Sequence, residues 1–373
     1  MTDAHVVLDA VAAQTGAISE VSRFIQDHPE LGHEEHECSR YLCETLAAAG
    51  LEVERGVASM DTAFRATLRG SRPGQTTGFV CLYDAVAAVR PNGRTEAVHS
   101  CGHGPIAGGV TGAALALSQL RDGLAGSVVV VGCPADEIHA PGTIERGGGK
   151  AISAHAGLWD GVGAALYAHP EFIDTVSLES RRMRRATGTV AGARSLTTAD
   201  QPPLHAALAA LEATRLLVPD EVMLERLEYE GDVEEDTGLV LKATYLLFGD
   251  DKEAVERGLA TVQEALPGAT WSLGGLVEAV RPDDRVTAAV ASAFRTLGRD
   301  FVESPPRLPF ATDFGNISRR CSAALIGVGR SGGWAFHTDE GAAEFASQDG
   351  EDAALTIAQV LALAAVELCE PAG

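Results

Sequence analysis

Hydrophobic residues in the first half of the chain switch repeatedly between helical and strand spacing. Apolar residues recur every three or four positions over 5–26, which predicts a helix ending near His28-Pro29. The run Val128-Val129-Val130-Val131 is typical of a strand buried on both faces of a parallel sheet. The other elements predicted here are a helix over 34–49, strands over 51–57, 63–69 and 78–83, a helix over 106–120, a short helix within 147–158 and a strand over 163–168. Strands that alternate with helices in this way predict a layered α/β domain.

The pattern changes near Ser180 and returns towards the end of the chain. The middle block predicts a strand over 186–192, a helix over 203–217, a strand over 238–247 and a helix over 250–265. That order suits a small α+β sandwich of the ferredoxin-like type. The tail predicts a helix over 285–299, a strand over 323–328 and a helix over 352–368. We therefore expect one domain built from 1–183 and 291–373, interrupted by an inserted domain over 184–290.

Charge and cysteine content narrow the class of protein. The formal net charge of −23 argues against nucleic-acid or anionic membrane partners, which require basic patches. Seven cysteines scattered over 373 residues do not form a disulfide framework and predict a reducing compartment. The sequence contains no stretch of about 20 apolar residues, so we expect no membrane span. The polar N-terminus does not resemble a signal peptide. A cytoplasmic location is expected.

The candidate chemistry centres on Cys101-Gly102-His103. Thiolate and neutral imidazole are ligand types that zinc and neighbouring transition metals prefer, although a buried cysteine beside unrelated histidines would look the same. Further ligand-type residues follow the predicted strands, where α/β sheets place their sites. They are Asp84, Asp136, Glu137, His169 and His337.

The adjacent carboxylates Asp136 and Glu137 indicate a reaction class. Neighbours on an extended backbone point in opposite directions, so one can face a metal while the other faces a water molecule. A metal lowers the pKa of water, and a nearby carboxylate can pass its proton to a leaving amine. This equipment is typical of metal-assisted amide hydrolysis.

Several motifs together resemble the M20 metallopeptidase family, in particular its aminoacylase/amidohydrolase branch, which includes aminobenzoyl-glutamate hydrolases. The resemblance covers almost the whole chain. The matching segments are 28–35 (HPELGHEE), 82–85 (LYDA), 100–103 (SCGH), 133–137 (CPADE), 147–150 (GGGK), 168–170 (AHP), 312–316 (TDFGN) and 336–338 (FHT).

The resemblance implies a zinc-exopeptidase-like α/β catalytic domain with a mixed, mostly parallel sheet. It also implies that the inserted domain is a lid and that the protein forms a homodimer through this domain. The implied site holds two divalent ions, zinc first, with manganese, cobalt or nickel as alternatives. Cys101 would bridge the ions, and the terminal ligands would be His103, Glu137, His169 and His337. Asp136 would be the general base, and Asp84 would orient a ligand.

The chain departs from the family pattern at several positions, including 234–237 (EEDT), where a Pro-Asn pair is usual. Gly104 replaces the usual Asp or Asn after the histidine of the 100–103 motif, and Asp136 is one methylene shorter than the usual Glu. Leu196 stands where the lid normally carries a histidine. The residues considered for compensation or substrate binding are Arg194, His205, Asp313 and Asn316.

Three functions fit these observations. The first is hydrolysis of a small amide: an N-acyl amino acid, a dipeptide-like molecule or a specialised-metabolite amide. The second keeps the metal site for amide formation, cyclisation or another acyl-type rearrangement, as the altered lid and shortened base would allow. The third is a non-catalytic dimeric scaffold.

Overall fold

The computed structural model describes residues 3–192, 221–230 and 239–371, together with the isolated positions 205, 208, 209, 211 and 212. These residues form two compact units. The first comprises the described parts of 1–179, 280–306 and 316–373, and the second those of 180–279 and 307–315. The second unit gives way to the first at Val280 rather than at residue 291, because the helix over Asp284–Thr296 packs against the C-terminal helix of the first unit.

The helices of the described chain are α1 (Ala4–Ala12), α2 (Thr15–Asp27), α3 (His36–Ala48), α4 (His103–Gln119), α5 (Pro141–Arg146), α6 (Gly149–His155), α7 (Lys252–Ala265), α8 (Asp284–Thr296), α9 (Phe314–Ile317), α10 (Asp339–Phe345) and α11 (Gln348–Leu368). The strands are β1 (Glu52–Arg55), β2 (Phe64–Arg69), β3 (Arg72–Cys81), β4 (Val86–Val89), β5 (Thr95–Val98), β6 (Ala125–Gly132), β7 (Ala164–Glu171), β8 (Arg182–Gly192), β9 (Val222–Glu230), β10 (Leu239–Gly249), β11 (Thr270–Val277) and β12 (Ser322–Gly329).

The main sheet of the first unit is mixed and mostly parallel, as the sequence predicts. Its strand order is β1-β2-β6-β3-β7-β12, and the four strands β6, β3, β7 and β12 run parallel to one another. Strand β2 runs antiparallel to both β1 and β6. The carboxyl ends of the four parallel strands therefore lie at one edge, and the residues that follow them can converge there.

Helix α4 is buried along almost its whole length. Its residues are mostly Gly, Ala and Val, and this absence of bulk lets α2 and α11 approach closely. A Cβ on Gly112 would overlap the side chain of Ile18, and one on Gly109 would meet Cγ2 of Ile357 at 2.5 Å. The small-residue pattern therefore reflects close helix packing, which holds the start of α4 in a fixed position.

The second unit has the strand order of a ferredoxin-like sheet. Its antiparallel order is β11-β8-β10-β9, with α7 packed on β8 and β10. Most of the helix predicted over 203–217 falls outside the described residues. Two strands of this sheet, β9 and β11, were not predicted.

Other local predictions need correction. The helix predicted over 5–26 is two helices, α1 and α2, separated at Ala13-Gln14, where Gln14 leaves helical geometry. Helix α4 begins at His103, earlier than predicted, because Gly102 adopts a left-handed conformation at φ 91° and turns the chain directly into the helix. Within the described ranges, no helix has the length and apolar character needed to span a bilayer.

Candidate metal centre

The Cys101-Gly102-His103 turn places two ligand-type side chains at the start of α4. A Cβ on Gly102 would lie 2.8 Å from Cγ of Pro170 and 3.1 Å from Cε1 of Phe345. Glycine is therefore required here for both its φ and its size. A hydrogen bond fixes the turn to the segment at His337, since the Ser100 carbonyl accepts at 2.9 Å from the backbone N–H of His337.

Parallel strands bring the other candidates to the same edge. Asp84 follows β3, Asp136 and Glu137 follow β6, and His169 lies within the last residues of β7. His337 follows β12, in which Gly327 pairs with His169 across the ladder. His337 has a positive φ of 60°, a rare conformation for a residue with a side chain, and such strain is commonly stored at functional sites.

The ligand atoms form two groups of three that share the Cys101 sulfur. One group contains Cys101, His103 and His169, and the other contains Cys101, Glu137 and His337, with the atoms of each group within 4.8 Å of one another. Sγ of Cys101 lies 3.2 Å from Nε2 of His337 and 3.8 Å from Nε2 of His169. One thiolate common to two triads is an arrangement that can hold two ions side by side.

Each imidazole of the first group is oriented through its other nitrogen. Nδ1 of His103 donates to the Asp84 carbonyl at 2.6 Å, and Nδ1 of His169 donates to the Pro170 carbonyl at 2.7 Å. Both hydrogen bonds fix the tautomer and leave Nε2 directed into the cluster. Among the described residues, Nε2 of His103 and Oε1 of Glu137 are buried without a hydrogen-bond partner. Buried polar atoms of this kind require a partner, and a cation would satisfy both.

The electrostatics of the cluster also favour a cation. Burial alone would raise the pKa of the Cys101 thiol, but the neighbouring imidazoles of His103, His169 and His337 hold it well below its usual range. Burial opposes protonation of His169, yet the Cys101 sulfur and Glu171 raise its pKa to about 10. Burial and the charge of Cys101 raise the pKa of Glu137 well above its usual value. The local field therefore favours added positive charge, which a divalent ion would supply in place of protons. Thiolate, imidazole and carboxylate donors fit such an ion.

Asp84 connects the two halves of the site. The carboxylate is fully buried, and its Oδ2 accepts a hydrogen bond at 2.9 Å from the backbone N–H of Glu137. Its Oδ1 lies 3.1 Å from Nδ1 of His103. One side chain thus positions both an imidazole and the loop that carries a carboxylate.

Asp136 has a partner that sequence reasoning missed. Its carboxylate makes a hydrogen-bonded ion pair with Lys150, whose side chain is buried at the start of α6. Oδ2 of Asp136 lies 3.4 Å from Nε2 of His103. Burial would raise the pKa of Asp136, but the Lys150 ammonium and His103 hold it well below its usual range. Asp136 therefore stays ionised, and its carboxylate is fixed between Lys150 and the cluster. The only signal in the sequence is Lys150 after three glycines in the 147–150 motif.

Glu35 is a second residue whose role the sequence did not reveal. It is fully buried, and its Oε1 accepts at 2.8 Å from the N–H of Ala135 while its Oε2 accepts at 2.8 Å from Oγ1 of Thr62. Ala135 has a positive φ of 58° immediately before Asp136. Glu35 thus stabilises the turn that aims Asp136 and Glu137. Glu35 is the last residue of the 28–35 motif, which was used only to support the family resemblance and not to assign a site residue.

The departure at Gly104 has a packing explanation. A Cβ at this position would meet the Ser22 carbonyl oxygen at 2.9 Å and Oε1 of Gln26 at 3.1 Å. Gln26 instead donates through Nε2 to the His99 carbonyl at 2.7 Å. Contact between α2 and α4 therefore occupies the space that an Asp or Asn side chain would need.

The structure describes three of the four candidates for substrate binding, namely His205, Asp313 and Asn316. Arg194 and Leu196 lie outside the described residues. His205 belongs to the second unit and is exposed. Asp313, in the second unit, and Asn316, in the first, are both buried. Their roles in substrate binding stay predictions.

Comparison with known proteins identifies the family. The model of peptidase family M20/M25/M40 matches residues 73–367. The chain belongs to this family. It is 31% identical over 174 residues to one of the subunits of the p-aminobenzoyl-glutamate hydrolase of Escherichia coli, a match covering 44% of this chain and 34% of that protein. It is 29% identical over 154 residues to the N-acyl-L-amino acid amidohydrolase of Geobacillus stearothermophilus, covering 39% of each.

The fold of almost the whole chain is shared with a solved structure. A dinuclear metal-binding peptidase from the M20 family of Bacillus subtilis superposes with a TM-score of 0.68 at 20% identity, covering 96% of this chain and 99% of that one. The matched segments of the two curated relatives span only about a third to two fifths of their lengths. The M20 resemblance and the fold class predicted from the sequence are confirmed.

Proposed function

We propose that this chain is a metal-dependent amidohydrolase that cleaves the amide bond of a small N-acyl amino acid, dipeptide-like molecule or specialised-metabolite amide. The observation that carries the proposal is the pair of ligand triads sharing Cys101. Membership of the M20 family supports it, as do the relatives named for hydrolysis of aminobenzoyl-glutamate and N-acyl amino acids.

Two divalent ions are proposed, zinc first, with manganese, cobalt or nickel as alternatives. His103 and His169 would hold one ion, Glu137 and His337 the other, and Cys101 both. Ions bound there would supply Lewis-acid activation of a water molecule and of the scissile carbonyl.

Asp136 is proposed to move the proton. It is the carboxylate beside the cluster that we assign to no ion, and its Oδ2 faces the first triad. It would accept a proton from the attacking water and deliver it to the leaving nitrogen, while Lys150 fixes the position of its carboxylate. Asp84 and Glu35 would keep the two adjacent carboxylates correctly aimed.

The test is release of free amine from a panel of N-acetyl, N-benzoyl and N-aminobenzoyl amino acids and simple dipeptides, using protein loaded with zinc or manganese. We expect turnover that a chelator abolishes. Asp136→Asn should keep its metal and lose at least about 100-fold in kcat, the usual share of general acid–base catalysis. Full metal occupancy with no hydrolysis of any member would contradict hydrolysis and favour acyl-type biosynthesis. Protein that binds no metal tightly would favour a scaffold.

We further propose that the second unit is the lid and dimerisation domain of a cytoplasmic homodimer. The edge strand β9 exposes Met223, Leu227 and Tyr229 at 46%, 36% and 47% of their surface. An apolar strand edge of this kind favours pairing with a second copy. Sedimentation should show a dimer, and Leu227→Lys should shift it to the monomer. A wild-type protein that stays monomeric would contradict the proposal. The seven cysteines, an odd number scattered along the chain, support the cytoplasmic location.

A further inference from the structure

The first unit contains a cavity directly beside the second ligand triad. It has a volume of about 420 Å³ and adjoins both Glu137 and His337. Ligand cavities usually range from about 300 to 1,000 Å³, so this one suits part of a small molecule. Its walls come from the β4–β5 hairpin, the loop after β6 and the segment at His337–Asp339.

We propose that this cavity is the acyl subsite of the centre and takes a short, uncharged aliphatic acyl group in preference to one that carries a carboxylate. This inference rests on the proposed function and names the substrate class of the same site.

Alanine and valine side chains form one part of the cavity wall, and Ser100, His139 and Thr338 are among the polar residues that line the rest. The hairpin contributes Val86 and Val98, which pair across the ladder, and Ala88, two residues along from Val86 on the same face. Ala140 closes the side next to Glu137 and is buried. Alanine and valine side chains provide a hydrophobic surface without filling the space, so burial of an alkyl chain is the interaction they favour.

The charges lining the cavity disfavour an anion. Arg90 lines it, but its Nη1 lies 2.9 Å from both carboxylate oxygens of Asp339 and its Nε lies 2.7 Å from Oε2 of Glu96. One guanidinium thus faces two carboxylates, so the positive charge of Arg90 is already balanced. A substrate carboxylate would therefore find no uncompensated positive charge on Arg90 and would be repelled by the Asp339 carboxylate beside it.

The position of Asp136 indicates which half of the amide enters the cavity. The leaving nitrogen must come near Asp136, which lies beside His103 in the first triad. The cavity adjoins the second triad instead. A carbonyl bound between the triads would therefore direct its acyl substituent into the cavity and its amine towards Asp136.

The experiment uses acyl hydroxamates, which chelate metals and need no turnover. Metal-loaded protein is titrated calorimetrically with acetyl, butanoyl and pentanoyl hydroxamates and with the monohydroxamate of succinic acid. We expect binding to tighten by about fourfold per added methylene from acetyl to pentanoyl. The succinyl compound, similar in length to the pentanoyl one, should bind at least tenfold more weakly than pentanoyl.

Variants separate the cavity walls from the metal centre. Ala88→Phe and Val98→Phe should abolish the gain with chain length while metal content stays unchanged. Thr95→Phe, on the same hairpin but exposed and outside the cavity, should leave the gain intact. Asp339→Asn releases one side of Arg90 and should tighten succinyl binding severalfold.

Each outcome supports or overturns the inference independently of hydrolysis. Affinities that do not depend on chain length, succinyl binding as tight as pentanoyl, or no binding to metal-loaded protein would each overturn it. Amide hydrolysis with no effect of acyl chain length would overturn the subsite alone. Graded hydroxamate binding without hydrolysis of any amide would overturn the proposed function and leave the subsite standing.

Discussion

Replacement of Lys150 by methionine tests the most unexpected contact in the candidate site. The ammonium is fully buried and pairs with Asp136, whose side chain is 17% exposed. Methionine preserves most of the volume and the apolar stem but removes the charge. Asp136 would then lose the ammonium that pairs with it and stand as a carboxylate beside Glu137 and Asp84, with His103 left as its neighbouring imidazole.

The expected cost follows from the burial of the pair. Removal of one partner from a buried ion pair costs about 3–5 kcal/mol, because the remaining charge is left uncompensated. The partial exposure of Asp136 places this case near the lower limit, about 3 kcal/mol. That is a large fraction of the 5–15 kcal/mol by which proteins are typically stable.

A double-mutant cycle in urea denaturation isolates the pair. Wild type, Lys150→Met, Asp136→Asn and the double variant are compared in metal-free protein, following a signal from the first unit. We expect Lys150→Met to lower the free energy of unfolding by about 3 kcal/mol, and the double variant to recover about 2 kcal/mol of it. An equal loss in both backgrounds would refute the reasoning, since the effect would then come from packing of the lysine stem.

Three further predictions follow from other buried positions. Burial and the charge of Asp84 raise the pKa of Glu35 to about 8, so the folded protein holds a proton that the unfolded chain has lost. The free energy of unfolding should therefore fall by on the order of 4 kcal/mol as the pH rises from about 4.5 to 8, and Glu35→Gln should remove this pH dependence. An equal pH dependence of the free energy of unfolding in both proteins, measured by denaturation, would contradict the assignment. Gly102→Ala should destabilise the folded protein by about 1–3 kcal/mol, because the new Cβ would approach Pro170 to 2.8 Å. The same substitution should halve the bound metal, as measured by elemental analysis. Wild-type stability and metal content would contradict this prediction. Gly104→Asp, which restores the usual family residue, should lower the melting temperature rather than raise it, because the Ser22 carbonyl occupies the space; a higher melting temperature would contradict this.

Local sequence pattern was sufficient for the central layers of the fold. Apolar runs specify β6 and β7 because both strands are buried on two faces, and the periodicity of the C-terminal tail specifies α11. Strand β9 was missed because three glutamates interrupt its apolar residues and no regular alternation marks it as a strand. The β4–β5 hairpin was missed because its strands are short and partly exposed, so that its pairing, rather than its composition, defines it.

In the candidate site, too, some features could be predicted from the sequence and others could not. Cys101, Glu137 and His337 were predicted to converge, because each is a ligand-type residue near the end of a parallel strand or beside a glycine turn. The contacts of Glu35 with Ala135 and of Lys150 with Asp136 could not be predicted. They join residues 100 and 14 positions apart, and both depend on the path of the turn after β6.

The central claim is that one thiolate serves two metal ions. Anomalous diffraction at the zinc edge, from crystals of zinc-loaded protein, measures this directly. We predict two peaks in each chain, both about 2.3 Å from the Cys101 sulfur, one also bound by His103 and His169 and the other by Glu137 and His337. A single peak, or two peaks of which only one contacts the sulfur, would contradict the shared-thiolate centre.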